Sequence, residues 1–525
     1  RIPAEHLEPG PRGARFHVVD FDGATGKLSP PARVATEQGD PYADAPTEVL
    51  LDDPGFRAQN VYAIAARTLA TFEAALGRRL QWGYSGHQLF LVPRGIPEAN
   101  AFYAAEHRAI TFGHVPGGEQ TALSYDIVAH ETTHAILDGL RPSFVEPGLP
   151  DQAAFHEALA DVVAMLSIFS LEEIVGHLLG EADANNRLAA DALTPDALRR
   201  TALFTLAEQL GNPGERGSGL RRSIDLARTP EWRELREFEE CHRRGEIVVA
   251  AVMQTLLTMW CKRLEALTSD EGADRDRVVE EGAKAAGHLL NMMVRGVDYL
   301  PPVELEFEDV VDAVLKADEI VSPDDPHRYR DALREAFAGF GVTRSERIVD
   351  LDRRDPREGV PVYERMNYTV LRSDRDEALR FIWENAHVFG IDRRWHTFVQ
   401  HVRPALRVGP DGLIVSEVLA GYVQNLELTA QELGEQGVPS AKTIRPDTRV
   451  EVWGGGVIVF DQFGRAKLHQ SKPLDDWERQ DRRLEYLVDH GLRDRDGRYG
   501  FTLSTPRGQR FAALHVANDR AGEDW

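Results

Sequence analysis

The chain has 525 residues, 42% of them hydrophobic and 8% aromatic, and a formal net charge of -24 at pH 7. That length exceeds what one hydrophobic core supports, so two or three domains are expected of an otherwise ordinary globular composition. The charge argues against nucleic acid and anionic membrane surfaces as partners. With no run of eighteen apolar residues, no membrane span is expected either.

Residues 1–56 are rich in Pro, Gly and Asp, with one short strand at Phe16-His-Val-Val-Asp20. A helical stripe follows over 57–80, carried by Val61, Ala65, Leu69, Phe72 and Leu76. Gln88-Leu-Phe-Leu-Val92 reads as a strand ended by Pro93, and Asn100-Ala-Phe-Tyr103 with Ala109-Ile-Thr-Phe112 as a strand pair. Residues 126–138 and 152–169 are predicted helices, followed by others over 190–210, 244–266, 275–295, 308–318 and 328–338. The charged, Pro- and Gly-bearing stretch 343–360 marks a domain boundary. Beyond it, helices are expected over 375–389, 394–402, 414–436 and 474–488. A hairpin is expected from Trp453–Phe460 and 465–469 through Asp461-Gln-Phe-Gly464. The division that results is 1–150, 151–345 and 346–525, the last a small α+β domain.

Cys241 and Cys261 are the only cysteines. If the segment between them is helical, twenty residues hold them about 30 Å apart. Free thiols are therefore expected, which favours the reducing cytoplasm. A chain that starts at Arg1 rather than Met leaves a trimmed, secreted protein open.

The chemistry starts from His130-Glu131-Thr-Thr-His134. Four residues apart on a helix, the two imidazoles share a face, with Glu131 beside them. That is the pattern of a zinc site with a general base. By chance alone it arises in roughly one such chain in twenty, so its setting matters. Ile127, Val128, Ala135, Ile136 and Leu137 make the helix a buried one, where a histidine pair needs a partner or a metal. The next helix carries Glu157 and Asp161 one turn apart among Ala, Leu, Val and Met, a poor place for a surface stripe. Glu157 suits a third zinc ligand. Asp161 suits the remote nitrogen of a ligand histidine, which it would orient. Zinc is thus the expected cofactor. A further candidate, His242, stands before the apolar run 244–266, where a loop residue reaches a cleft and could donate to an oxyanion.

In this order the motifs resemble the thermolysin family of zinc metallopeptidases, in the gluzincin group. The resemblance rests on His130-Glu131-x-x-His134, Glu157-x-x-x-Asp161, Asp126-Ile-Val-Ala before the first motif, and Ala135 and Asp138 after it. It covers roughly residues 55–342. It implies a mixed α/β N-terminal half, a helical C-terminal half and a zinc cleft between them, so the expected fold class is α+β with the small C-terminal domain added. Asn100-Ala-Phe-Tyr103 is similar to the family's substrate-binding edge strand, which implies peptide contacts from Asn100 and Ala101. His242 matches the transition-state histidine, and Glu237 stands where the family has the carboxylate that orients it. Leu220-Arg221-Arg-Ser-Ile-Asp225 resembles the segment whose arginine binds the substrate carbonyl, which implies Arg221, with Arg222 next to it.

The sequence also departs from the family. No tyrosine lies between His134 and Glu157, where members carry one that helps hold the oxyanion, and His156 replaces their Asn. Ile168 stands where calcium-binding members place a shared glutamate, and Asp126 is there alone, so the double calcium site is not expected. The resemblance implies an endopeptidase acting on peptides or proteins, with a hydrophobic side chain accepted after the scissile bond. The departures motivate an alternative, a catalytically weak or inactive pseudoprotease or processing factor that uses 346–525 to recognise partners.

Overall fold

The computed structural model describes residues 2–33, 45–115, 120–146, 148–203, 225–355, 359–409, 412–493 and 496–500, with a few isolated positions between these spans. Its first layer is a six-stranded sheet. Leu89–Ile96 lies at the centre, paired in parallel with Phe16–Val18 and with Ala109–Gly113, and Ala101–Ala104 forms the edge. The central strand does not end at Pro93. Its pairing shifts between Val92 and Ile96, and a ring without an N–H is tolerated at such an irregularity.

Helix Pro54–Leu76 packs on this layer. The Asp53 carboxylate caps it by accepting from the Phe56 N–H at 2.8 Å, and Pro54 opens it at a position that needs no donor. Gly77 closes it at φ 67°. A Cβ at Gly77 would also lie 2.0 Å from the carbonyl oxygen of Leu406, far along the chain, so glycine is required twice.

The helical body follows. Pro150–Phe169 is buried almost all round, wrapped by Tyr125–Leu140, Cys241–Leu264 and Arg275–Gly296. Pro150–Phe169 and Cys241–Leu264 are long and apolar enough to cross a membrane by length and composition, but both are core helices of the folded body. Phe307–Val321, held by a Glu306/Asp309 capping box, and Tyr329–Ala338 complete it. Of the helix expected over 190–210, residues 204–210 lie outside the described residues, and the described part is broken. A short turn at Ala190–Leu193 gives way to Pro195–Leu198, capped by Thr194, because Thr-Pro starts a new helix rather than continuing an old one. Cys241 and Cys261 are both unbridged.

The C-terminal region differs most from expectation. The predicted helices 394–402 and 414–436 are instead the long strands His396–Val408 and Ile414–Thr429. Only Ala430–Glu435 is helical, started by a Thr429/Glu432 capping box. With Arg449–Phe460, Ala466–Lys472 and Ile348–Asp350 they form a five-stranded antiparallel sheet, the last strand coming from the charged 343–360 stretch. The sheet is covered on both faces. Val418, Ala420, Ile458 and Phe460 pack on helix Arg375–Glu384, whereas Leu419, Val457, Val459 and Leu468 join the core of the helical body. A strand buried on both sides reads as a continuous apolar run, which hides its two-residue period. The hairpin at Asp461–Gly464 is as expected, with Gly464 at φ 85°.

Candidate metal centre

The centre lies where two helices cross. Within Tyr125–Leu140, the Thr132 and Thr133 hydroxyls donate back to Val128 and Ala129 carbonyls at 2.7 and 2.8 Å, so both polar groups are satisfied inside the core. His130 and His134 then project together, their rings edge to face at 4.5 Å. Helix Pro150–Phe169 brings Glu157 up against both.

The three donor atoms converge. His130 Nε2 and His134 Nε2 are 2.9 Å apart, and Glu157 Oε2 lies 3.5 Å from each. Ligands on one tetrahedral zinc at about 2.05 Å are separated by about 3.3 Å, so the observed triangle has the size that one ion requires. Both Glu157 oxygens are buried, and neither accepts a hydrogen bond of ordinary geometry among the described residues. A buried carboxylate left so is costly unless a cation meets it. Donor types, spacing and a buried carboxylate facing imidazoles therefore all fit a divalent ion of the zinc type, with three of four tetrahedral positions supplied by these side chains. Burial pushes the Glu157 carboxyl up, but the adjoining His134 and His242 rings outweigh it and hold it well below the ordinary range.

Each imidazole is held from behind. His130 Nδ1 meets Asp161 Oδ1 at 2.7 Å, as expected for a carboxylate one turn after Glu157. His134 Nδ1 instead meets His156 Nδ1 at 2.8 Å, the rings nearly stacked. One nitrogen of that pair must donate and the other accept. With His134 Nε2 turned towards the donor triangle, His134 carries the proton on Nδ1 and His156 accepts it. The role of His156 was not legible beforehand. The two rings are neighbours only because the helices cross.

The acid–base candidates lie around this triangle. Glu131 is fully buried, and its Oε2 accepts from the Tyr103 N–H at 3.0 Å. The Tyr103 hydroxyl donates to Asp138 at 3.0 Å on the same helix. The edge strand Ala101–Ala104 is thus fastened alongside the histidine helix. Asn100 opens that strand, its Oδ1 accepting from the Ala101 N–H at 2.8 Å and its carbonyl from the Thr121 hydroxyl at 3.0 Å, while buried Ala101 pairs with Phe112.

His242 is in the first turn of helix Cys241–Leu264 rather than in a loop before it. Its Nε2 is 3.3 Å from Glu157 Oε2, and its side chain is 32% exposed. The carboxylate that orients it is not Glu237, which pairs with Arg243 at 3.3 Å, but Glu240, whose Oε1 is 2.8 Å from His242 Nδ1. Glu240 is also the N-cap, accepting from the His242 and Arg243 N–H groups at 2.9 and 2.7 Å, so one side chain closes the helix and aims the ring. Burial works against charge on His242, yet the Glu157 carboxylate beside it carries its pKa well above the usual imidazole value. The expected carbonyl-binding residue Arg221, with Arg222, lies outside the described residues.

No protein-family model and no curated protein matches the chain significantly. Among solved structures, the precursor of protealysin, a metalloproteinase from Serratia proteamaculans, is similar with a TM-score of 0.34 and 17% identity. The match covers 64% of this chain and 91% of that one. At that level the likeness carries no argument about this chain, and the functional reading rests on the site itself.

Proposed function

We propose that the chain is a zinc-dependent endopeptidase. The observation that carries this is the convergence of His130, His134 and the buried Glu157 carboxylate on one point, next to a second, differently held carboxylate, Glu131. Zinc held by the three ligands would lower the pKa of water towards about 7 and polarise a peptide carbonyl. The protein's own groups supply the rest. Glu131 takes a proton from the attacking water and passes it to the leaving amine nitrogen. The Tyr103 N–H holds one oxygen of Glu131 and so fixes the orientation of the carboxylate for that transfer. His242, aimed by Glu240, donates from Nε2 to the oxygen that gains charge. Asn100, Ala101 and the edge strand they begin offer a substrate backbone a strand to pair with. Arg221 is the proposed partner of the substrate carbonyl.

The experiment is cleavage of an unstructured protein by the full chain and by Glu131→Gln, with zinc measured in both. The proposal expects one zinc in each, and cleavage lower by about three orders of magnitude in the variant. Full zinc with no cleavage by the unaltered chain would favour the alternative, a peptide-binding pseudoprotease, which the missing tyrosine between His134 and Glu157 motivates.

A further inference from the structure

One face of the strand His396–Val408 packs against the C-terminal end of the helix that carries His130 and His134. Along His396–Val408 the residues His401, Arg403, Ala405 and Arg407 alternate towards the body. Ala405 sits in the body's core, and Arg403 pairs across the sheet with Leu419, which sits there too. Leu406, facing the other way, is 57% exposed.

What this row touches is specific. Arg403 donates to the carbonyl oxygens of Leu140 and Gly139, at 2.8 and 3.0 Å. These are last-turn carbonyls of the helix that carries His130 and His134, groups that have no partner within the helix. Gln400, at the bulge between Val399 and His401, donates to the Ser143 hydroxyl at 2.9 Å, and Ser143 lies on the connector to the Glu157 helix. From that helix Gln152 closes the same connector, donating to the Ser143 and Glu146 carbonyls at 3.0 Å each. Arg141, the cap residue of the histidine helix, meets His401 Nε2 at 3.4 Å and donates to the Val297 carbonyl at 2.6 Å. Charge and geometry pull in opposite directions here. Burial and the nearby Arg141 and Arg78 guanidiniums work against charge on Arg403, and the two carbonyl oxygens it meets lie at the end of the histidine helix that carries the negative pole of its dipole.

We propose that this strand is a clamp that holds the two ligand helices in register before metal binds, with Arg403 as its main positioning residue. The C-terminal region is then part of the metal centre's scaffold rather than an appended module. This rests on the zinc reading above. Without the clamp, the last turn of the histidine helix and its connector fray in the zinc-free protein, and binding must order them first.

The test measures zinc affinity of the full chain by competition with a chromophoric chelator, and amide hydrogen exchange over residues 137–144 in the zinc-free protein. Arg403→Leu should weaken zinc binding about fivefold, the worth of a lost helix cap, and speed exchange over 137–144. Gln400→Ala should do both to a smaller degree. Leu406→Ala, on the outer face of the same strand, should do neither. If Arg403→Leu does not fold, Gln400→Ala decides. Unchanged zinc affinity and unchanged exchange in Arg403→Leu, or in Gln400→Ala where Arg403→Leu does not fold, overturn the clamp. An unaltered chain that binds no zinc overturns the zinc reading instead, and exchange over 137–144 then decides the clamp alone.

Discussion

Two of the clusters of buried charge in this molecule are built in opposite ways. At the interface between the helical body and the C-terminal sheet, Asp298 receives both arms of Arg78 at 2.6 Å each and an arm of Arg407, while Glu417 receives Arg407 and the Tyr299 hydroxyl at 2.6 Å. Burial pushes the Asp298 carboxyl up, and Arg78 with Arg407 holds it far below the ordinary range regardless. At the crossing of the ligand helices, Glu157 is as deeply buried but faces imidazoles, which give up their charge when they bind a metal. Guanidinium partners make a permanent closure. Imidazole partners leave the carboxylate available. The first arrangement is a weld, and the second is a site.

The sharpest way to break that distinction is to remove one charge from each. Arg407→Leu takes a cation from two buried carboxylates, leaving Asp298 with Arg78 and Glu417 with the Tyr299 hydroxyl, and should lower the unfolding free energy of the zinc-free protein by about 3 kcal/mol in denaturant melts. Glu157→Gln removes a carboxylate that the zinc-free protein holds with imidazoles alone, so it should cost clearly less than Arg407→Leu while abolishing zinc binding. Equal losses in the two variants would erase the contrast. A smaller effect sharpens the account of the site. His156→Leu removes the acceptor behind His134 and should weaken zinc binding by about 10- to 100-fold in chelator competition, whereas His156→Asn, which keeps an acceptor, should stay near the unaltered chain.

The smallest effect concerns the sheet. His469 is buried between Phe389 and Tyr422, its Nε2 2.9 Å from the Tyr422 hydroxyl, and burial lowers its pKa to about 3. The unfolded chain therefore takes up a proton near pH 6.5 that the folded chain refuses until about pH 3. Stability from this group is present above pH 6.5 and is lost as pH falls below it, by about 1.4 kcal/mol per pH unit once well below. His469→Phe should flatten that part of the dependence in melts between pH 7 and 5.5, and an unchanged slope would contradict it.

How much of this was legible depended on the range of each interaction. The shared face of His130 and His134, and Asp161 one turn after Glu157, follow from helical spacing alone, and the structure brings these residues together as expected. The edge strand at Asn100 was legible from its own pattern, but the Tyr103 N–H on Glu131 was not, since it joins a strand to a helix. Spacing misled at His242. Glu237 stands where the resemblance places a partner, yet the helix starts at Cys241 and puts Glu240 at the N-cap, within reach of both backbone and ring. The C-terminal strands were hidden for a different reason. A sheet covered on both faces loses the alternation that marks a strand, and the row His401, Arg403 and Arg407 looks like scattered charge until the body that receives it is in view.

Whether the cluster of His130, His134 and Glu157 holds zinc is read from the zinc content of the purified full chain and two variants. The prediction is one zinc per chain, lost in His134→Ala and kept in His242→Phe, whose ring sits beside the ligands without being one of them. A chain without zinc after metal reconstitution, or zinc that survives His134→Ala, would contradict it.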